Sequence, residues 1–104
     1  MSDVDRLLQL ALDRRALTYG KFTLSSGQES SYYFDGRLLS LDPEGVYLIG
    51  RLLLPVLKDA GAQAVGGPTL GADPMVASIA LTSHLEGSPI PAFIVRKETK
   101  SHGT

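Results

Sequence analysis

Residues 64–80, Ala-Val-Gly-Gly-Pro-Thr-Leu-Gly-Ala-Asp-Pro-Met-Val-Ala-Ser-Ile-Ala, and residues 92–95, Ala-Phe-Ile-Val, decide the fold. Ala64-Val65 reads as a short apolar strand, and Gly66-Gly67-Pro68-Thr69-Leu70-Gly71 as the loop after it. Ala72, Met75, Val76, Ile79 and Ala80 then recur at helical spacing, with Asp73-Pro74 as the start signal. The apolar run 92–95 follows Pro89 and Pro91 and is short enough for a buried parallel strand. Strand, helix and strand joined by short connections make one right-handed crossover unit, so the class is α/β.

Upstream, Asp42 and Pro43 mark a helix start as N-cap and first helical residue. Ile49, Leu52, Leu53, Val56 and Leu57 form its expected apolar stripe, Gly61 its C-cap, and Pro55 an expected kink. Residues 21–37 predict two short strands, Phe22-Thr23-Leu24 and Ser31-Tyr32-Tyr33-Phe34, around a turn at 25–28. Alternation puts Tyr33 on one side of its strand and Tyr32 with Phe34 on the other. The opening segment predicts an amphipathic helix with Val4, Leu7, Leu8, Ala11 and Leu12 on the buried face. Ser2 is placed to cap it, Asp3 and Asp5 fall in its first turn, and Arg14 and Arg15 suit the dipole at its end.

Composition narrows the function classes. With 104 residues the chain holds one domain. Ten Lys+Arg against eleven Asp+Glu give a net charge of -1, which argues against nucleic acid held by bulk electrostatics. No cysteine is present, so a disulfide scaffold, a thiolate nucleophile and a cysteine zinc site are excluded. His84 and His102 are the only histidines, too few for a multi-histidine metal site, and no metal ligands are assigned in this chain. The acidic start is unlike a secretory signal, and residues 46–57 are too short, with Arg51 and Pro55 inside, to cross a membrane. A cytoplasmic protein without membrane or nucleic-acid partners is expected.

Three features carry candidate chemistry. Arg96, Lys97, Lys100 and His102 follow the carboxyl end of an inferred parallel strand, where open α/β sheets bind ligands. A cationic loop there suits a polyanion, although ordinary solvated lysines read the same way on composition. The glycine loop 66–71 before a helix offers backbone N–H groups to an anion, but it is neither a Walker A loop nor a dinucleotide glycine pattern. Tyr32, Tyr33 and Phe34 offer an aromatic edge for a planar base, or simply hairpin packing. His84, near a helix end, reads as a surface residue.

Phe22-Thr23-Leu24-Ser25-Ser26-Gly27, residues 30–35, Gly66-Gly67-Pro68 with Gly71 and Pro74, and above all Arg96-Lys97-Glu98-Thr99-Lys100-Ser101-His102-Gly103 carry a resemblance. In order and spacing the chain resembles the orotate phosphoribosyltransferases from their N-terminus into their catalytic loop. The resemblance implies a type I phosphoribosyltransferase-like parallel sheet flanked by helices, with a small N-terminal hairpin or hood. It divides the chain into helix and hood at 1–40, the first part of the α/β core at 41–95, and the start of a mobile catalytic loop at 96–104. It implies the reaction of orotate with 5-phosphoribosyl 1-diphosphate, with Mg²⁺, to give orotidine 5′-phosphate and diphosphate. Arg96, Lys97, Lys100 and His102 match diphosphate-binding positions, with Lys100 and His102 catalytic, and Tyr33 and Phe34 match the aromatic pair beside orotate. Ser25 and Leu70-Gly71 stand where many members carry a lysine and a Tyr-Lys pair. A homodimer sharing the loop across subunits is implied. The family's acidic pair and Thr/Gly-rich phosphate loop are not matched here, so these 104 residues alone are expected not to turn over. A non-catalytic phosphoribosyltransferase-like regulator, or an enzyme for a purine base, are the alternatives left open.

Overall fold

The computed structural model describes residues 2–98. The chain divides into two compact units, one up to Leu48 and one from Ile49 onward. The elements are α1 Asp3–Asp13, β1 Leu17–Thr23, β2 Glu29–Phe34, α2 Arg37–Ser40, α3 Pro43–Asp59, β3 Val65–Pro68, α4 Asp73–Leu85 and β4 Ala92–Val95.

In the first unit α1 starts as expected. The Ser2 hydroxyl accepts from the Asp5 N–H at 3.1 Å while the Asp5 carboxylate accepts from the Ser2 N–H, a reciprocal capping box. Its buried face differs from the expected one. Leu10 and Ala11 are buried with Leu7 packed beside them, whereas Val4, Leu8 and Leu12 are exposed. The unit's core, completed by Ala16, Leu39 and Leu48, covers only one side of the apolar stripe. Arg14 is held by Asp42 at 2.8 Å, and Arg6 grips Glu44 with two hydrogen bonds of 2.6 and 2.8 Å. These two pairs tie α1 to the start of α3.

Strands β1 and β2 form an antiparallel hairpin, with Leu17 opposite Phe34, Thr18 opposite Tyr33 and Tyr19 opposite Tyr32. The register slips between Tyr19 and Phe22, so β1 is longer than its predicted apolar core and is bulged at Gly20-Lys21. Leu24 falls outside the strand. The short helix α2 was not predicted; its four residues are too few for a periodic pattern.

Asp42 and Pro43 begin α3 as predicted, with the Asp42 carboxylate accepting the Gly45 N–H at 2.9 Å. The expected stripe holds in part: Ile49 is buried and Leu57 packs against the second core. Leu48 belongs to the first core and Leu54 to a second core with Val65, Val76, Ile79 and Ile90, while Leu53 and Val56 are exposed. A helix that serves two cores has no single buried stripe. Its end is a Schellman motif: the Gly61 N–H donates to Lys58 O, the Ala62 N–H to Leu57 O, and Gly61 takes φ +71°.

In the second unit β3 and β4 pair in parallel, Val65 opposite Ala92 through Pro68 opposite Val95. Gly66-Gly67-Pro68 are strand rather than loop, which shortens the loop to the residues after Pro68. Glycine is required by contact: a Cβ on Gly66 would strike the Phe93 ring, and one on Gly67 would lie 2.5 Å from the Ala72 Cβ. Helix α4 buries Val76 and Ile79 as predicted, and also Ser83. Asp73 lies in its first turn, with Ala72 rather than Asp73 at the N-cap position. Strand β4 is parallel as expected but not buried: Phe93, Ile94 and Val95 are all about half exposed. Two strands are too narrow a sheet to be covered on both faces.

Candidate active site

The carboxyl ends of β3 and β4 open into a cleft of about 550 Å³ lined by Thr69, Leu70, Ile94, Arg96, Lys97 and Glu98. The edge of a parallel pair is where an α/β sheet leaves room for a ligand. The Thr69 N–H donates to Val95 O at 2.9 Å and carries the ladder one step past β3, so both walls share one frame. The chain then turns into α4. The Ala72 N–H donates to Pro68 O and the Asp73 N–H to Leu70 O, both at 3.1 Å. The N–H groups of Leu70 and Gly71 meet no acceptor among the described residues. Two successive unpaired amides before a helix are a feature of turns that bind anions. Leu70 is 81% exposed and a Cβ on Gly71 would meet nothing within 4 Å, so the turn is open to a ligand.

Arg96 and Lys97 are exposed and line this cleft with Leu70. Lys100 and His102 lie outside the described residues. Tyr33 and Phe34 sit on β2 of the first unit, 51% and 53% exposed, so they are not a buried hairpin core. The Tyr33 ring rests against Phe22 with centroids 5.8 Å apart and planes tilted by 38°. Ser25 lies in the exposed hairpin turn, which is closed by the Leu24 N–H to Gln28 O at 2.8 Å. His84 is exposed in the last turn of α4, as expected.

Immediately after Phe34, the Arg37 guanidinium donates to both Asp35 oxygens at 3.1 Å and holds that carboxyl below its ordinary range. Asp35 and Arg37 line a hollow of about 410 Å³ with Leu38, Leu41, Asp42 and Pro43. Sequence reasoning missed this pair, and also the bond from the Thr69 hydroxyl to Asp73 Oδ2 at 2.7 Å. The second leaves only a common pattern in the sequence, a hydroxyl and a carboxylate four residues apart across a helix start. The Thr69–Leu70 peptide bond is cis.

A strand–turn–helix–strand unit with a cationic cleft at its carboxyl edge is an α/β crossover arrangement, and the solved structures on which it superposes are phosphoribosyltransferases. No protein-family model matches the chain. A phosphoribosyltransferase structure from Corynebacterium diphtheriae superposes with a TM-score of 0.76 at 38% identity, covering 100% of this chain and 56% of that one. The Mycobacterium tuberculosis orotate phosphoribosyltransferase in complex with 5-phospho-α-D-ribosyl 1-diphosphate gives 0.73 at 39% identity, covering 98% and 58%. Among curated proteins, the orotate phosphoribosyltransferase of a Nostoc species is 49% identical over 99% of this chain and 51% of its own length. That of Streptomyces coelicolor is 44% identical over 99% and 57%. The chain spans about half the length of the curated relatives it matches. Over that span it is a homologue of the orotate phosphoribosyltransferases.

Proposed function

We propose that this chain is the N-terminal part of an orotate phosphoribosyltransferase, acting in de novo pyrimidine biosynthesis. The enzyme transfers the phosphoribosyl group of 5-phosphoribosyl 1-diphosphate to orotate, releasing diphosphate and forming orotidine 5′-phosphate. The observation that supports this reading best is the cleft in which Arg96 and Lys97 share walls with Thr69 and Leu70, at the start of the open turn. Cationic side chains and free amides there meet the negative oxygens of a diphosphate. As the bond from the anomeric carbon to the leaving oxygen breaks, negative charge grows on diphosphate. Groups that bind it more tightly at that moment lower the barrier.

Residues 96–104 are assigned as the start of the catalytic loop, after the helix and hood at 1–40 and the core segment at 41–95. Lys100 and His102 are assigned the catalytic contacts to the departing diphosphate, with Arg96 and Lys97 as its binding residues. Leu70 and Gly71 contribute backbone amides, where a lysine side chain would otherwise add charge. Tyr33 and Phe34, half exposed on one strand, are assigned to the orotate ring, with Ser25 a lesser candidate on the same hairpin. The loop reaches a neighbouring subunit's site in a homodimer.

The described residues do not fit a protein-held Mg²⁺: no three His, Asp or Glu side chains gather among them. The Asp73 oxygen Oδ2 is already engaged by Thr69. Mg²⁺, when bound, would be held by the substrate's phosphate oxygens and would offset their negative charge. The location proposed is the cytoplasm. Among the described residues no helix is long and apolar enough to cross a membrane.

The test is direct. Intact protein given orotate, 5-phosphoribosyl 1-diphosphate and Mg²⁺ consumes the orotate ultraviolet absorbance. Lys100→Ala lowers kcat by about 10²-fold or more with a smaller change in KM, because it serves developing charge. No loss of absorbance at any magnesium concentration overturns the assignment.

A further inference from the structure

The turn between β3 and α4 is held by side chains as well as by backbone. Thr69 follows the last residue of β3, Asp73 opens α4, and the Thr69 hydroxyl donates across to Asp73 Oδ2 at 2.7 Å. The two free amides, of Leu70 and Gly71, lie between the clasped residues. Thr69 and Leu70 line the cleft with Arg96 and Lys97, whereas Asp73 is not part of the lining. The second Asp73 oxygen, Oδ1, is buried and has no hydrogen-bond partner among the described residues. That arrangement is unfavourable for a carboxylate. The helix does not use Asp73 as its cap, since Ala72 holds that position. Its charge suits the first turn, but an acid facing solvent would supply the same charge without burying an oxygen. What the buried position adds is the hold on Thr69.

We propose that Asp73 is a positioning residue which, through the Thr69 hydroxyl, presets the turn whose free amides receive the diphosphate of the sugar substrate. The inference rests on the reading of the cleft given above. A turn fixed before binding spares the ordering cost that a slack turn meets on each encounter. It also keeps the amides aimed at the charge that develops. The hydroxyl hydrogen is committed to Asp73, so Thr69 holds the turn rather than donating to the ligand.

The test uses the intact enzyme with Thr69→Val, Thr69→Ser and Asp73→Ala, measuring kcat, KM for each substrate and the thermal midpoint. Thr69→Val is nearly isosteric at a cleft-lining position, so it keeps the test alive if Asp73→Ala does not fold. Thr69→Val is expected to raise KM for the sugar diphosphate about tenfold, the loss of one charge-assisted hydrogen bond. Its KM for orotate stays within about twofold, and Thr69→Ser, which restores the hydroxyl, returns the parent value. An unchanged sugar-diphosphate KM in Thr69→Val overturns the proposal. So does a Thr69→Ser variant no better than Thr69→Val, or a rise in both KM values alongside a lowered thermal midpoint. A parent enzyme that does not consume orotate refutes the function assigned above instead, so the two failures are distinguishable.

Discussion

Replacing Ser83 by alanine removes a hydroxyl with no solvent exposure that closes the connection between α4 and β4. Ser83 Oγ donates to Ala80 O at 2.7 Å and accepts the Ile90 N–H at 2.8 Å. Ile90 is itself 7% exposed, so its amide has no water to turn to once the oxygen is gone. A buried donor left unsatisfied costs about 1–3 kcal/mol. Alanine returns roughly 0.5 kcal/mol through its better helix propensity. The net expectation is a destabilisation of about 0.5–2.5 kcal/mol, read from urea unfolding followed by far-ultraviolet circular dichroism, with the slope unchanged. His84→Ala, one residue on and exposed, serves as the control and stays within about 0.5 kcal/mol of the parent. If Ser83→Ala unfolds within that same margin, the hydroxyl is not the closure described here.

A second prediction concerns acid. The Arg14 guanidinium holds the Asp42 carboxyl below its ordinary range, and Arg6 does the same for Glu44. A carboxyl lowered in the folded state binds fewer protons there than when unfolded. Its stabilisation is present above the ordinary carboxylate range and is lost as pH falls through the lower folded value, from about pH 5 downward. Replacing Arg6 and Arg14 together by glutamine flattens this acid limb in a pH series of unfolding midpoints; an equally steep limb contradicts it. The third concerns Gly45, where a Cβ would strike the Leu39 carbonyl, a backbone atom with nowhere to go. Gly45→Ala is expected to cost about 2 kcal/mol or more by the same urea assay, whereas Gly71→Ala, facing open space, costs less than about 1 kcal/mol.

Much of the fold was legible because it is written in local chemistry. Ser2, Asp42 with Pro43, and Gly61 act within their own turns, and each was found where the sequence put it. The parallel pair followed from two short apolar runs flanking a helix. Buried faces were less legible, since burial depends on which neighbours exist. Val4, Leu8 and Leu12 satisfy helical periodicity yet remain exposed, and α3 divides its apolar residues between two cores. Gly66 and Gly67 read as loop because glycine usually marks one; here they are strand, forced small by Phe93 and Ala72. Of the candidate site, Arg96, Lys97 and Leu70 were legible from their place after strands. The Thr69–Asp73 clasp was not, because a hydroxyl and a carboxylate near a helix start are too common to single out.

Gly50 gives the second unit a mechanical property of its own. A Cβ there would strike the hydroxyls of Ser78 and Thr82 and come within 2.9 Å of the Ser78 carbonyl, so α3 presents bare backbone to the small hydroxyl side chains of α4. At that crossing a side chain in place of Gly50 has no room unless the two hydroxyls turn away or the Ser78 backbone yields. Because α4 also begins at the turn that borders the cleft, a residue bulkier than glycine at position 50 would press on the same helix that carries that turn.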